Sequence, residues 1–137
     1  MMAQAPTLPP YARFLGISAE AGEDGPLFRL PFAVSVMGRP HFLHGGAIAG
    51  LLEIAALGTV LERLRDEPGV SIKPINVTVD YMRGGRERET FAAATILRLG
   101  TRIANVEAFA WQEDRDKLIA SARMTLMVRR PKATGEG

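Results

Sequence analysis

Apolar positions along the chain change their period at residue 45 and again near residue 74. From Gly45 to Leu61 the run GGAIAGLLEIAALGTVL is apolar nearly all round and carries one charge, Glu53, which predicts a buried helix of seventeen residues. PINVTVDYM then alternates strictly, with Ile75, Val77, Val79 and Tyr81 on one face and Asn76, Thr78, Asp80 and Met82 on the other. That is the pattern of a half-buried strand. RGGRERE reads as a turn and charged edge, and TFAAATILRLG, RIANVEAFAWQ and LIASARMTLMV are three further β-rich runs separated by GT and EDRDK, so they predict antiparallel strands joined by hairpins. Upstream of the helix, PLFRLPFAV follows the turn signal EDG and predicts a first strand over 27–34, while PYARFLG predicts one or two helical turns stopped at Gly16. The ends, MMAQAPTLPP and RRPKATGEG, read as tails. With no internal repeat or linker, the reading is one domain over 1–137, its core over about 10–129.

One long apolar helix followed by a meander of four strands gives an α+β layout in which an antiparallel sheet covers the helix. A single sheet covers one side, yet this helix is apolar on nearly all sides. Ala49, Gly50, Ala56 and Gly58 are small, and an interior glycine costs about 1 kcal/mol against Ala, so something is expected to approach closely. A second subunit is the expected neighbour. An ionised, unpaired Glu53 buried in such a place would cost several kcal/mol, so it is expected to be paired, protonated or facing a cavity.

Composition narrows the function classes. There is no cysteine, which removes disulfides, thiolate nucleophiles and thiolate metal sites together. A net charge of +2, from 17 basic and 15 acidic residues interleaved along the chain, is too small for a nucleic-acid footprint. Neither a run of about 18 apolar residues nor a secretory leader pattern stands out, so no membrane partner is expected and the cytoplasm is the expected location. His41 and His44 lie three apart but have no third ligand nearby; no metal and no redox cofactor are expected.

The chemistry gathers where strand gives way to helix, at HGG, residues 44–46. The first N–H groups of a helix have no intrahelical acceptor, and the macrodipole adds about half a positive charge there. Glycines let a substrate carbonyl reach those donors, which describes an oxyanion hole. Glu53 lies eight residues beyond Gly45, about 12 Å along one helix at 1.5 Å per residue. One substrate carbonyl cannot touch both within one chain, so joint action on it requires two antiparallel helices across a two-fold axis, with shared sites.

His44, Gly45, Gly46 and the acidic Glu53 nine positions after the histidine, together with VTVDYMR, LRLGTR and LIASARMTLMV, resemble the hotdog-fold acyl-CoA thioesterases of the phenylacetate-pathway type, over about residues 27–129. The resemblance implies a five- or six-stranded sheet wrapped around the helix, a homodimer pairing sheets edge to edge, and often a homotetramer. It implies that the Gly45 N–H serves the thioester oxygen and that Glu53 attacks or activates water; His44, by its place beside the glycines, is expected to hold the turn through hydrogen bonds and secondarily to touch substrate. Glu in place of the commoner Asp resembles the aryl-CoA branch. The chain departs from the family pattern at Gly38, where Asn or Gln is usual; at Pro74 and Leu57, where relatives supply Ser or Thr from the opposite chain, leaving Asn76 or Thr78 as substitutes; and at Gly84, where Pro is usual. Gly46 and Gly38 belong to the expected substrate site. Arg83, Arg86, Arg98 and Arg102 stand at strand ends, and Arg102, with Thr101 in the tight GT turn, is the first choice for the CoA phosphates. The expected activity is hydrolysis of an acyl-CoA thioester to free acid and CoA. Proton-abstracting hydratases share the fold but need an acid and a histidine at a spacing not found after Glu53. The alternative from a different class is a hotdog protein that binds an acyl ligand without turning it over.

Overall fold

The computed structural model describes residues 7–131; the outer parts of both expected tails lie outside that range. Their inner parts are structured. Pro10 opens helix α1 (Pro10–Leu15), where a missing N–H is harmless, and Gly16 closes it at φ 85, a left-handed conformation suited to glycine. At the other end Arg130 pairs with Glu67.

Strands β1 (Ser18–Glu20) and β2 (Leu27–Leu30) form a short hairpin; β1 had no clear signal in the sequence. The first strand was expected to reach residue 34 but ends at Leu30, because Pro31 offers no N–H to a ladder and Val34–Val36 coil into a single 3-10 turn. Helix α2 (Gly45–Arg63) runs nineteen residues, two beyond the expected end. It is long and apolar enough to cross a bilayer, which the sequence reading had not registered, but the wrapped sheet takes up most of its surface. Four long strands follow: β3 (Ser71–Tyr81), β4 (Thr90–Leu99), β5 (Ile103–Trp111) and β6 (Leu118–Arg129).

All six strands lie in one antiparallel sheet of order β1-β2-β4-β5-β6-β3. The three hairpin-linked strands β4, β5 and β6 form the expected meander, but β3 does not belong to it. It crosses to the far edge and pairs with β6 along its whole length. Alternation reports which face a strand buries and says nothing about its neighbour, hence the difference. The expectation of a half-buried strand also needs correction, since Ile75, Val77 and Tyr81 stay 50%, 42% and 54% exposed on this outer strand.

The concave face explains how a sheet can wrap a helix closely. Ala92, Ala104, Ala108, Ala110, Ala120 and Ala122 point inward beside Val106, Met124 and Leu126, and against them lie Ile48, Leu51, Leu52 and Ala55 of α2. Small residues on the sheet let large ones on the helix seat between strands. The expected close approach to Gly50 is made within the chain: a Cβ there would lie 2.9 Å from Leu15 and 3.3 Å from Tyr11, both on α1. Gly50 therefore serves α1 and not a second subunit.

Candidate active site

The turn into α2 is held by hydrogen bonds on almost every side. His44, with φ −66 and ψ 134, is the N-cap, and its Nδ1 accepts the Gly46 N–H at 2.8 Å. A ring nitrogen that accepts carries no proton, so the neutral imidazole is the Nε2–H tautomer. The His44 carbonyl accepts from Ala47 and Ile48, and its own N–H donates to Val36 at 2.9 Å. Tyr81, at the end of β3, donates its hydroxyl to the Gly45 carbonyl at 2.9 Å. Among the described residues, the Gly45 N–H has no acceptor.

Two loops brace this turn. Leu43 donates its N–H to Gly85 at 3.0 Å, His41 meets Glu87, and the Phe42 ring lies between the guanidinium groups of Arg39 and Arg86, at 3.9 and 4.3 Å. Gly84, where the family pattern has Pro, sits under that ring: a Cβ would come within 2.8 Å of Phe42. The substitution makes room for an aromatic brace. Gln112 ties down the second loop, accepting from the Arg86 N–H and donating to Arg86, Arg88 and Thr90. Gly38 lies against His44, with 3.1 Å from an added Cβ to the His44 Cα, so a longer side chain would require the turn to shift.

Glu53 occupies a different environment. On α2 the residues Gly46, Ala49, Glu53, Leu57 and Leu61 form a stripe that the sheet does not cover. Glu53 is half-buried within it and, among the described residues, has no hydrogen-bond or ion-pair partner. The paired or fully buried carboxylate considered from sequence is not what one protomer presents. Since α2 is one uninterrupted helix, the rise of about 12 Å from Gly45 stands, with a turn of about 80° around the axis as well.

The remaining predicted residues separate. Asn76 and Thr78 pair across strands with Thr125 and Arg123, whereas Val77, Val79 and Tyr81 pair with the inward-facing Met124, Ala122 and Ala120. Opposed residues share a face, so Asn76 and Thr78 lie on the convex side and cannot serve Glu53 of their own chain. A register shift between Pro74 and Asn76 makes Ile75 the bulged residue and sets this phase. The arginines at the strand ends do not come together. Arg83 and Arg86 line a cleft of about 250 Å³ beside the helix N-terminus, with Gln112 and Lys117. Arg98, in register with Asn105, Thr125 and Asn76, lies part-way along the sheet, and Thr101 and Arg102 lie at the opposite end of β3, roughly 33 Å away over its ten residue steps. There the Thr101 carbonyl accepts from Arg130, whose pairing with Glu67 lowers the Glu67 pKa and raises that of Arg130. His41 and His44 are engaged with Glu87 and Gly46, and the described residues hold no cluster of three or more metal-ligating side chains.

Tyr81, Gln112 and Phe42 were not singled out from sequence. Tyr81 did have a signal, as the last residue on the apolar face of an alternating strand. What was missing was which end of the helix that strand would meet.

A six-stranded antiparallel sheet wrapped around one helix, with HGG at the helix N-terminus, defines a hotdog-fold protein. Residues 35–127 match the family described as acyl-CoA thioesterase N-terminal domain. The chain is 33% identical over 134 residues to the medium/long-chain acyl-CoA thioesterase YigI of Salmonella typhimurium, covering 87% of this chain and 85% of that one. A thioesterase structure from Haemophilus influenzae superposes with a TM-score of 0.78 at 27% identity, over 92% of this chain and 87% of that one. A Bacillus halodurans protein solved with CoA gives a TM-score of 0.78 at 25% identity, over 89% and 80%. The chain belongs to the acyl-CoA thioesterase family, and it is a thioester hydrolase.

Proposed function

We propose that this enzyme hydrolyses acyl-CoA in sites shared between two protomers, each joining the Gly45 N–H of one chain to Glu53 of the other. The unengaged Gly45 N–H carries this reading: its neighbours in the turn are all committed, and it stands at the positive end of α2. A thioester oxygen placed on that donor would gain stabilisation as charge develops in the tetrahedral intermediate. Either Glu53 attacks the carbonyl carbon and expels CoA, leaving a mixed anhydride that water then hydrolyses, or it takes a proton from the attacking water and passes it to the departing sulfur; both routes end in the free acid and the CoA thiol.

The open face supports assembly. β3 is an eleven-residue edge strand with unpaired outward backbone groups, and the stripe around Glu53 is apolar apart from its carboxylate. Antiparallel pairing of two β3 edges about a two-fold axis would set the Tyr81 end of one strand beside the Ser71 end of the other. Arg102 of the partner subunit would then approach the Gly45 site, where it could meet a CoA phosphate. No metal or redox cofactor enters the reading, and it places the enzyme in the cytoplasm with its acyl-CoA. For the acyl group, likeness to YigI across most of both chains outweighs the aryl-CoA hint of a single Glu, so a medium to long aliphatic chain is the proposed substrate.

Thiol release from a panel of aliphatic and aryl CoA thioesters tests the substrate. Complementation tests the sharing. Glu53→Gln removes the carboxylate; Gly45→Pro removes the donor N–H at a helix position that tolerates proline, after a His44 already at the extended ψ of 134 that proline demands. Each homodimer should be nearly inactive. Heterodimers of the two hold one intact site and one doubly defective site, so about half of the wild-type activity should return. No recovery from verified, folded heterodimers rules the shared site out.

A further inference from the structure

We infer that Tyr81 is a positioning residue for the oxyanion donor, an inference that rests on the proposed role of the Gly45 N–H. The peptide joining Gly45 to Gly46 is gripped at both polar edges: Tyr81 donates to its carbonyl at 2.9 Å, and His44 Nδ1 accepts from its N–H at 2.8 Å. Because a peptide is planar, two such bonds fix the orientation of the whole unit. The grip acts where the backbone is loosest, since neither residue has a side chain and the first turn of a helix lacks intrahelical bonds to its N–H groups.

The peptide on the other side of the Gly45 Cα is held through the His44 carbonyl, which accepts from Ala47 and Ile48. Tyr81 thus fixes the second of the two peptides that meet at the Gly45 Cα, so the unit whose N–H remains available is held on one side by the helix and on the other by a neighbour that cannot turn. Its ring also packs on the glycine, with Cε1, Cζ and the hydroxyl oxygen each 3.5 Å from where a Cβ would stand. Donation to the Gly45 carbonyl polarises the same peptide and strengthens its N–H bond to His44, so the two grips reinforce each other. Tyr81 is 54% exposed and comes from an edge strand, so burial of the ring is not what places it there.

Tyr81→Phe keeps the ring and removes only the hydroxyl. The expected result is a kcat about tenfold lower with KM within about twofold, since a donor free to swing loses alignment with the transition state more than it loses substrate. A merely structural role would lower Tm and leave the kcat of the folded enzyme unchanged, and that result overturns the inference. The carbonyl stretch of a ¹³C-labelled acyl-CoA bound to Glu53→Gln gives the second readout. It should fall below its value in water, and in Glu53→Gln/Tyr81→Phe it should move back toward that value. A normal shift in the single variant that stays the same in the double variant overturns the role of Tyr81 alone. No shift in the single variant overturns the Gly45 donor itself, and the inference with it.

Discussion

At the N-terminus of α2 the carbonyl of Gly45 and the N–H of Gly46 are each held by a named side chain, and two loops brace the turn from outside. Two turns along the same helix Glu53 stands half-exposed between Ala49 and Leu57, with no polar partner among the described residues. The first region is finished within one chain. The second is not, because a carboxylate on an open apolar stripe keeps its hydration only while the stripe stays uncovered. Covering it with another apolar surface would cost several kcal/mol unless a donor or a positive helix end arrived with that surface. An antiparallel copy of α2 would supply such an end. One helix thus carries a turn held by side chains at its start and, two turns on, a carboxylate with no polar partner among the described residues.

Removing the carboxylate gives the largest expected effect. Glu53→Gln preserves shape and should lower kcat at least about a hundredfold while leaving Tm nearly unchanged, because no intrachain bond is lost. Thiol-release kinetics and a thermal melt check both halves. Turnover near wild type would show that the open stripe is only a surface.

The finished region should respond differently. His44→Ala removes an N-cap worth about 1 kcal/mol, which for a domain near this size lowers Tm by roughly 2–5 °C. It also frees one edge of the Gly45–Gly46 peptide, so kcat should fall about tenfold through poorer alignment. Stability and turnover should drop together here and separately at Glu53. If His44→Ala lost turnover with no loss of Tm, the imidazole would be acting on substrate and the capping role would be secondary.

These regions were unequally legible in the sequence. Periodicity placed α2 and the four long strands, since a core-facing helix and alternating strands must repeat at 3.6 and 2 residues. HGG and Glu53 were visible for the same reason: glycines at a helix start and a charge in an apolar run are each costly unless used. Periodicity does not encode sheet order, so β3 was placed in the meander when it lies at the far edge beside β6. That error carried into the site. It hid the meeting of Tyr81 with Gly45 and left open that the length of β3 divides Arg83 from Arg102. Gly50 shows the converse error, in which a correct inference of close approach was given the wrong neighbour, because nothing in the α2 sequence distinguishes α1 from a second chain.

The smallest expected effect lies at the end of the sheet farthest from Gly45. Arg130 links the segment after α2 to the β4–β5 hairpin, pairing with Glu67 and donating to the Thr101 carbonyl. The hydrogen bond from Arg130 is the main cause that lowers the Glu67 pKa below its ordinary value of 4.5, against an opposing desolvation. A depressed carboxylate contributes stability that is fully present above the unfolded pKa and disappears as pH falls through the lower folded value. Both partners are solvent-exposed, so the contribution is small and screened by salt. Glu67→Gln should therefore lower Tm slightly and by a constant amount between pH 6 and 8, and the gap from wild type should close once the pH drops below about 4.5. Catalysis should change less than at either Gly45 or Glu53 unless the Thr101–Arg102 turn contacts CoA. A gap that widened in acid would mean that the Glu67 pKa is raised in the folded chain and that its pairing with Arg130 does not hold this end of the sheet.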